Sequence, residues 1–203
     1  MSDALSEDCA ARPALTFRHA TIDDFALVRR HYALVHDAHA ANMPDTFRCM
    51  EANDFSIERF RANLVDDNLL LIAEDNGKPA GSVLASCHQV GPGGYVPGRS
   101  VFIHYVVTEP QMRGHGVATA LIAATSEWAA GKEAYRINLV VWRFNSDALA
   151  LYRKLGFADA NVGLAIAPST ALARCGGGRL PKPAAEPRTA PLTARLRSWL
   201  FQR

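Results

Sequence analysis

The chain has 203 residues, 49% of them hydrophobic, which is enough to bury one core of ordinary domain size. Its formal charge of +2 comes from 22 Lys and Arg against 20 Asp and Glu; residues 168–203 hold seven of the bases and one acid, leaving a mildly acidic body (15 against 19) and a basic tail. Four separated cysteines without a Cys-x-x-Cys pair argue against a zinc ribbon, a redox motif or a disulfide scaffold, and no apolar run approaches the roughly 18 residues that cross a bilayer.

Residues 1–14 carry acids and no apolar stretch of signal-peptide type, and read as a disordered lead-in to a soluble, cytoplasmic protein. Residues 15–18 predict a short strand. Thr21-Ile22-Asp23-Asp24 is a helix-start signal, and the helix it opens runs through Phe25 and Val28 toward His39. Residues 40–54 are irregular, and residues 56–65 predict a shorter helix with Ile57, Phe60 and Leu64 on one face. Two apolar segments, 69–73 and 80–87, flank Asp75-Asn76-Gly77-Lys78, which has the turn chemistry of a β-hairpin. A Gly- and Pro-rich stretch over residues 91–98 breaks regular structure, and residues 101–107 make the next strand, with little alternation. The helix after it sets Val117, Leu121, Ala124 and Trp128 near one face, with Gly131 where it should stop. Residues 137–141 return as a strand, giving a right-handed unit of strand, crossover helix and parallel strand. Asn145 can cap a further helix that presents Leu149, Tyr152 and Leu155 on one face and ends at Gly156. From Pro168 onward Pro, Gly, Ala and Arg dominate and cannot form a core. Leu192, Leu196, Trp199 and Leu200 recur at helical spacing, so the terminus is either frayed or a short amphipathic helix.

Arg113-Gly114-His115-Gly116-Val117-Ala118 lies between the strand 101–107 and a helix start. A strand delivering such a loop to a helix leaves several backbone N–H groups unpaired and aimed at one point, where the helix dipole also favours negative charge. This is a pyrophosphate cradle: the glycines admit a ligand close to the main chain, Ala118 keeps the helix near, and Arg113 adds a positive charge. Downstream stands Trp142-Arg143-Phe144-Asn145, then Ala148, Tyr152, Gly156 and Phe157 at spacings of four, four and one.

Together the two segments resemble the GNAT superfamily of acetyl-CoA-dependent N-acetyltransferases. Its Arg/Gln-x-x-Gly-x-Gly/Ala loop is matched by Arg113, Gly116 and Ala118, and its Asn-x-x-Ala-x-x-x-Tyr-x-x-x-Gly-Phe segment by Asn145, Ala148, Tyr152, Gly156 and Phe157. The resemblance spans residues 15–167, with weaker echoes of small-amine acetyltransferases at His36-Asp37-Ala38-His39 and Pro44-Asp45-Thr46-Phe47. It implies an α/β fold: a strongly twisted mixed sheet of six or seven strands flanked by about four helices, in a domain over residues 15–167. The central strands would part to admit coenzyme A. It implies that backbone groups of Val106, Val107 and Thr108 pair with the pantetheine arm, one N–H doubling as oxyanion donor. Residues Arg113, Gly114, His115, Gly116, Val117 and Ala118 would hold the diphosphate, and Asn145 would orient the coenzyme or simply cap its helix. Thr108 stands where relatives more often carry valine, which a backbone role tolerates.

An alkylamine with a pKa of about 10.4 must lose a proton before it attacks, and the departing thiolate needs an acid. The resemblance assigns the acid to Tyr152. Relatives often carry a glutamate base on the strand before the loop; here Phe102, His104 and Val106 occupy one expected strand face without a carboxylate, so His104 is the candidate base, a structural histidine being the alternative. Glu74, Asp75 and His88 are lesser candidates. The expected reaction is acetyl transfer from acetyl-CoA to a primary amine of a small molecule. The alternatives are a protein N-terminal or lysine acetyltransferase, and a non-catalytic coenzyme A-binding regulatory domain. Asp37, Asp45, Glu51 and Asp54 in the irregular region would suit a cationic amine, or are merely solvated. His36 and His39 lack the company of a metal site, so no metal is expected, and neither is nucleic-acid binding. A homodimer is left open.

Overall fold

The computed structural model describes residues 14–175 apart from residues 52, 92, 94 and 95. The lead-in over residues 1–13 and the terminal helix expected within 192–203 lie outside the described residues. The chain divides into two units, Met1–Ala158 and Asp159–Arg203.

The first unit is built on one sheet in the order β1-β2-β3-β4-β5, comprising β1 (Leu15–His19), β2 (Asn68–Asp75), β3 (Lys78–Val90), β4 (Gly98–Thr108) and β5 (Ala134–Leu139). The first four strands are antiparallel to their neighbours, while β5 pairs parallel to β4. Helices α1 (Phe25–Asn42), α2 (Ile57–Arg61), α3 (Val117–Gly131) and α4 (Ser146–Lys154) belong to the same unit. The sheet is therefore mixed, as expected, but has five strands among the described residues instead of six or seven. Residues 157–167 carry the chain onward without strand pairing; Asp159, Asn161 and Gly163 interrupt their apolar residues, and Leu164 is 93% exposed. In the second unit, α5 (Pro168–Cys175) opens on proline, whose missing N–H costs nothing at the first helical position.

Local chemistry explains most element ends. The β2–β3 turn puts Asn76 (φ 51°) and Gly77 (φ 73°) both in the left-handed region, the geometry that tight hairpins demand and that Asn-Gly supplies. Asp24 accepts two bonds from Arg18 at 2.8 Å and one from the Thr21 N–H at 2.8 Å, tying β1 to the start of α1. Helix α2 is shorter than its apolar periodicity because Asn63 and Leu64 bond back three residues, to Phe60 and Arg61, and tighten into turns. Phe60 is nonetheless fully buried. Helix α3 ends at Gly131, where the sequence places its stop, and the left-handed residue follows two positions later at Glu133 (φ 55°).

Two cores pack on opposite faces of the sheet. On one face Leu71, Val83, Val101 and Ile103 meet Val117 and Leu121 of α3. On the other, Leu70, Leu84, Tyr105 and Val107 meet Val28 of α1 and Phe60 of α2. Gly81 of β3 is held by this packing: a Cβ there would stand 2.3 Å from the Val107 carbonyl oxygen and 3.0 Å from Val117.

Candidate active site

Strand β4 changes partners halfway along. Against β3, Leu84 pairs with Tyr105 and Ala85 with Ile103, so His104 is the extra residue of a β-bulge. One inserted residue reverses the alternation: Val101 and Ile103 face α3, whereas beyond the bulge Val106 faces α3 and Tyr105 and Val107 face α1. Phe102, His104 and Val106 therefore do not share a face, contrary to strict alternation. Phe102 and His104 are neighbours, with ring centroids 5.2 Å apart, and Val106 belongs to the other core.

The bulge also marks where β4 and β5 part. Their ladder ends at Ile103 and Leu139, yet β4 continues to Thr108. On that side, the backbone edge of Val106, Val107 and Thr108 has no strand partner among the described residues. An open edge of this kind takes an extended, amide-bearing chain.

The edge leads directly into the glycine loop. A 3-10 turn over Pro110–Met112 precedes Arg113, and Gly114 (φ 81°) and Gly116 (φ 82°) both adopt left-handed backbone. The first bond of α3 runs from the Ala120 N–H to the Gly116 carbonyl at 3.0 Å, so the N–H groups of Val117, Ala118 and Thr119 have no helical acceptor. No atom stands within 4 Å of where a Cβ would sit on Gly114 or Gly116. Arg113 is exposed beside them, and His115 turns back so that its Nδ1 lies 2.9 Å from the Arg113 carbonyl oxygen. Unpaired donors, a helix N-terminus and open space above two glycines fit a diphosphate.

The second motif has a structural explanation of its own. Gly156 (φ 93°) donates to the Arg153 carbonyl at 3.0 Å and Phe157 to the Tyr152 carbonyl at 3.0 Å, the paired bonds of a Schellman C-cap on α4. Phe157 then packs edge-on against Tyr152, with centroids 5.6 Å apart. The spacing Tyr-x-x-x-Gly-Phe thus fixes the tyrosine on the last turn, and burial raises its phenol pKa, keeping it protonated. At the other end, Asn145 accepts from the Ala148 N–H at 3.3 Å, which leaves its side-chain NH2 available to a second partner. No described contact joins Tyr152 to His104.

His104 is reached by solvent on one side, and Ser86 Oγ lies 2.7 Å from its Nε2 and 2.6 Å from His88 Nε2. Ser86 has one proton, so it donates to one ring and accepts from the other. With His104 as the donor at Nε2, its Nδ1 carries the free lone pair. Loss of hydration, then the charges of His88 and Arg59, push its pKa down to about 4. The open side of the ring tempers that drop, and the imidazole is neutral at pH 7 in either case.

A buried polar chain that no local sequence pattern marks lies behind the site. Glu109, at the exit of β4, is 1% exposed and pairs with Arg30 and with His31 Nε2 at 2.8 Å; His31 Nδ1 in turn lies 2.7 Å from Ser82 Oγ. Burial alone would raise the Glu109 pKa, but bonds from His31 and Arg30 outweigh it and lower it, while burial lowers that of His31. Anionic Glu109 therefore accepts from a neutral His31, which accepts from Ser82. The chain pins α1 to the strand end that feeds the glycine loop. His31 was detectable in principle, lying three residues after Val28 on the buried face of α1.

Helix α1, residues 46–50 and residues 54–59 border an open pocket of about 280 Å³ lined by Tyr32, His36, Phe47, Arg48, Asp54 and Arg59, among others. Its aromatic wall continues through His39, 5.0 Å from Phe47, to Trp142, 5.2 Å from Phe47, just ahead of Asn145. His36 and His39 belong to this wall, and no cluster of His, Cys, Asp and Glu suited to a metal occurs among the described residues. No described helix is long and apolar enough to cross a membrane.

The sequence profile of the acetyltransferase (GNAT) family matches residues 34–157. An uncharacterized N-acetyltransferase of Methanocaldococcus jannaschii is 33% identical over 98 residues, covering 48% of this chain and 42% of that protein. An acetyltransferase of Pectobacterium atrosepticum is 33% identical over 92 residues, 45% of this chain and 59% of the relative. The chain thus spans about half the length of the curated relatives it matches. Among solved structures, a mutant protein from Bacillus halodurans shares the fold with a TM-score of 0.70 at 22% identity, over 75% of this chain and 98% of that one. An aminoglycoside N-acetyltransferase in complex with CoA does so with a TM-score of 0.58 at 18% identity, over 76% and 95%. The family match takes in the parted strands, the glycine loop and the capped α4 alike, and the chain belongs to the acetyltransferase (GNAT) family.

Proposed function

We propose that the chain is an N-acetyltransferase that moves the acetyl group of acetyl-CoA to the primary amine of a small molecule. One observation carries this reading: the unpaired β4 edge beyond His104 runs straight into the amide cradle of the glycine loop. Val106, Val107 and Thr108 bind the pantetheine arm through their backbone. Arg113, Gly114, His115, Gly116, Val117 and Ala118 hold the diphosphate, and the spare NH2 of Asn145 orients the coenzyme. The pocket of about 280 Å³ has room for a small acceptor, and the aminoglycoside acetyltransferases that share the fold are named for small-molecule amines.

The bound thioester supplies an activated acyl carbon. The amine enters in its neutral form with its first proton lost to solvent, its nitrogen forms a bond to that carbon, the carbon–sulfur bond breaks, and the second proton passes to His104 Nδ1, directly or through water, and on to the thiolate through solvent. A backbone N–H of the open edge faces the carbonyl oxygen as charge builds there. Tyr152 offers its hydroxyl to the departing sulfur. Full transfer from a phenol of pKa about 10 to a thiolate of about 8.5 runs uphill by about 2 kcal/mol, and burial of Tyr152 adds to that. Its contribution is therefore a hydrogen bond that strengthens as the sulfur gains charge.

Acetyl-CoA turnover read as free thiol across polyamines, aminoglycosides, amino acids and short peptides tests the reading. Turnover of a small amine supports it, turnover of peptides alone would make the chain a protein acetyltransferase, and coenzyme binding without thiol release would make it a regulatory domain.

A further inference from the structure

The cavity that would receive the amine is not acid-lined. Among its lining residues the one carboxylate is Asp54, and it is already occupied: Arg48 donates to both its oxygens, at 2.7 and 2.8 Å, and the Glu51 N–H adds a third bond at 2.7 Å. Glu51 itself lies 3.3 Å from Arg48. Asp37 and Asp45 are exposed and do not line the cavity. The carboxylates that composition offers to a cationic acceptor are thus spent or face water.

Arg59 is the opposite case. Its guanidinium donates to the Tyr32 hydroxyl at 2.8 Å and to the Asp54 carbonyl at 3.2 Å, and lies over the rings of Tyr32, 5.1 Å from the centroid, and Phe55, 5.9 Å away. All these partners are neutral, and no carboxylate pairs with it among the described residues. Arg48 is shared by Asp54 and Glu51, whereas Arg59 is planar and stacked on neutral rings so that its fork is preorganised. Apolar lining comes from Phe47, Met50 and the ring of Tyr32 on which Arg59 stacks. Arg59 also lies within electrostatic reach of His104, which places the charge near the candidate base.

Resting on the acetyltransferase reading above, we infer that the acceptor is an amino carboxylate with an apolar or aromatic body, its carboxylate held by Arg59 and its body against the Tyr32 and Phe47 wall. A polycationic aminoglycoside does not suit this lining: it would meet an unbalanced guanidinium and no free acid.

The test compares matched amines with and without the carboxylate: phenylalanine against phenethylamine, and tryptophan against tryptamine, with kanamycin as the polycation. The wild-type protein should favour the carboxylate member of each pair by about tenfold or more in kcat/KM, as a charge-assisted bond to carboxylate provides. Arg59→Ala should shrink that ratio about tenfold, and Arg59→Lys should restore part of it. In the wild-type protein, which needs no variant to fold, 3-phenylpropionate should inhibit at about a tenth of the concentration of its neutral amide. Equal inhibition, or preference for the decarboxylated amines or kanamycin, overturns the inference and leaves the acetyltransferase reading standing. Absence of thiol release with every amine, despite bound acetyl-CoA, overturns both.

Discussion

The two sides of β4 are built from different materials. On the side proposed for the coenzyme the available groups are main-chain amides: the unpaired edge over Val106–Thr108, and the N–H groups presented by Gly114, Gly116 and the first turn of α3. On the side proposed for the acceptor they are side chains from α1, α2 and an irregular segment, and their charges are set by which guanidinium meets which carboxylate. Backbone sites depend on glycine positions and element ends, so the coenzyme side tolerates change elsewhere in the chain but not at those points. Side-chain sites depend on pairings across the fold, so the acceptor side can change specificity through single substitutions.

That contrast is sharpened most by Tyr152, which the proposed reaction uses at the departing sulfur and not for binding. Tyr152→Phe should lower turnover by about a hundredfold or more while acetyl-CoA affinity measured by calorimetry stays within about twofold. Unchanged thiol release would remove Tyr152 from the reaction. Next in size is the cradle. Gly116→Val forces a β-branched residue into left-handed backbone and puts carbon where the diphosphate would lie, so acetyl-CoA affinity should fall tenfold or more. Arg59→Ala should leave that affinity within twofold; equal losses in the two variants would erase the division between the sides.

The pH profile probes the point where the two sides meet. His104, its pKa pushed down toward about 4 and tempered by the open side of its ring, should give kcat an acid limb below the usual imidazole range. Removing the Arg59 charge should move that limb upward, and His104→Ala should abolish it. An acid limb untouched by His104→Ala would make the histidine structural.

The smallest effect concerns the pin behind both sides. Glu109 has its pKa lowered, and Asp24, bonded by Arg18, sits at about 2; their unfolded forms take up protons at higher pH, so their stabilisation is present above about pH 4 and is lost as pH falls toward 2. His31, also lowered, works in the same direction from about pH 6.5 downward. The thermal midpoint should therefore drop on acidification. His31→Ala, which strands Ser82 and Glu109, should cost about 1–3 kcal/mol in denaturant unfolding. A midpoint flat between pH 7 and 2 would show that the buried chain carries no such linkage.

The same contrast explains what could be seen in the residues alone. The Asn76-Gly77 hairpin, the glycine loop and the Gly156 cap are local devices in which one or two residues fix the backbone, and all three stand in the structure where their chemistry placed them. The bulge at His104 has no such mark, because an inserted residue shows only in the pairing with β3, and it relocated Val106 to the opposite core. Glu109 reads as a lone acid before a proline until α1 folds over it with Arg30 and His31. The acids at Asp37, Asp45, Glu51 and Asp54 look like a cation site in the sequence, and only the contacts of Arg48 show that Asp54 is taken. A sheet of six or seven strands was carried by family likeness; the segment after α4 lacks the pairing to extend the five.

The claim on which the account turns is that the parted edge of β4 and the amides around Gly116 together receive acetyl-CoA. A crystal structure of the protein with CoA tests it most directly: the account places diphosphate oxygens within hydrogen-bond distance of the N–H groups of residues 114–118, and the pantetheine amides alongside Val106–Thr108. Diphosphate bound elsewhere, or a pantetheine arm that leaves this edge bare, would contradict it.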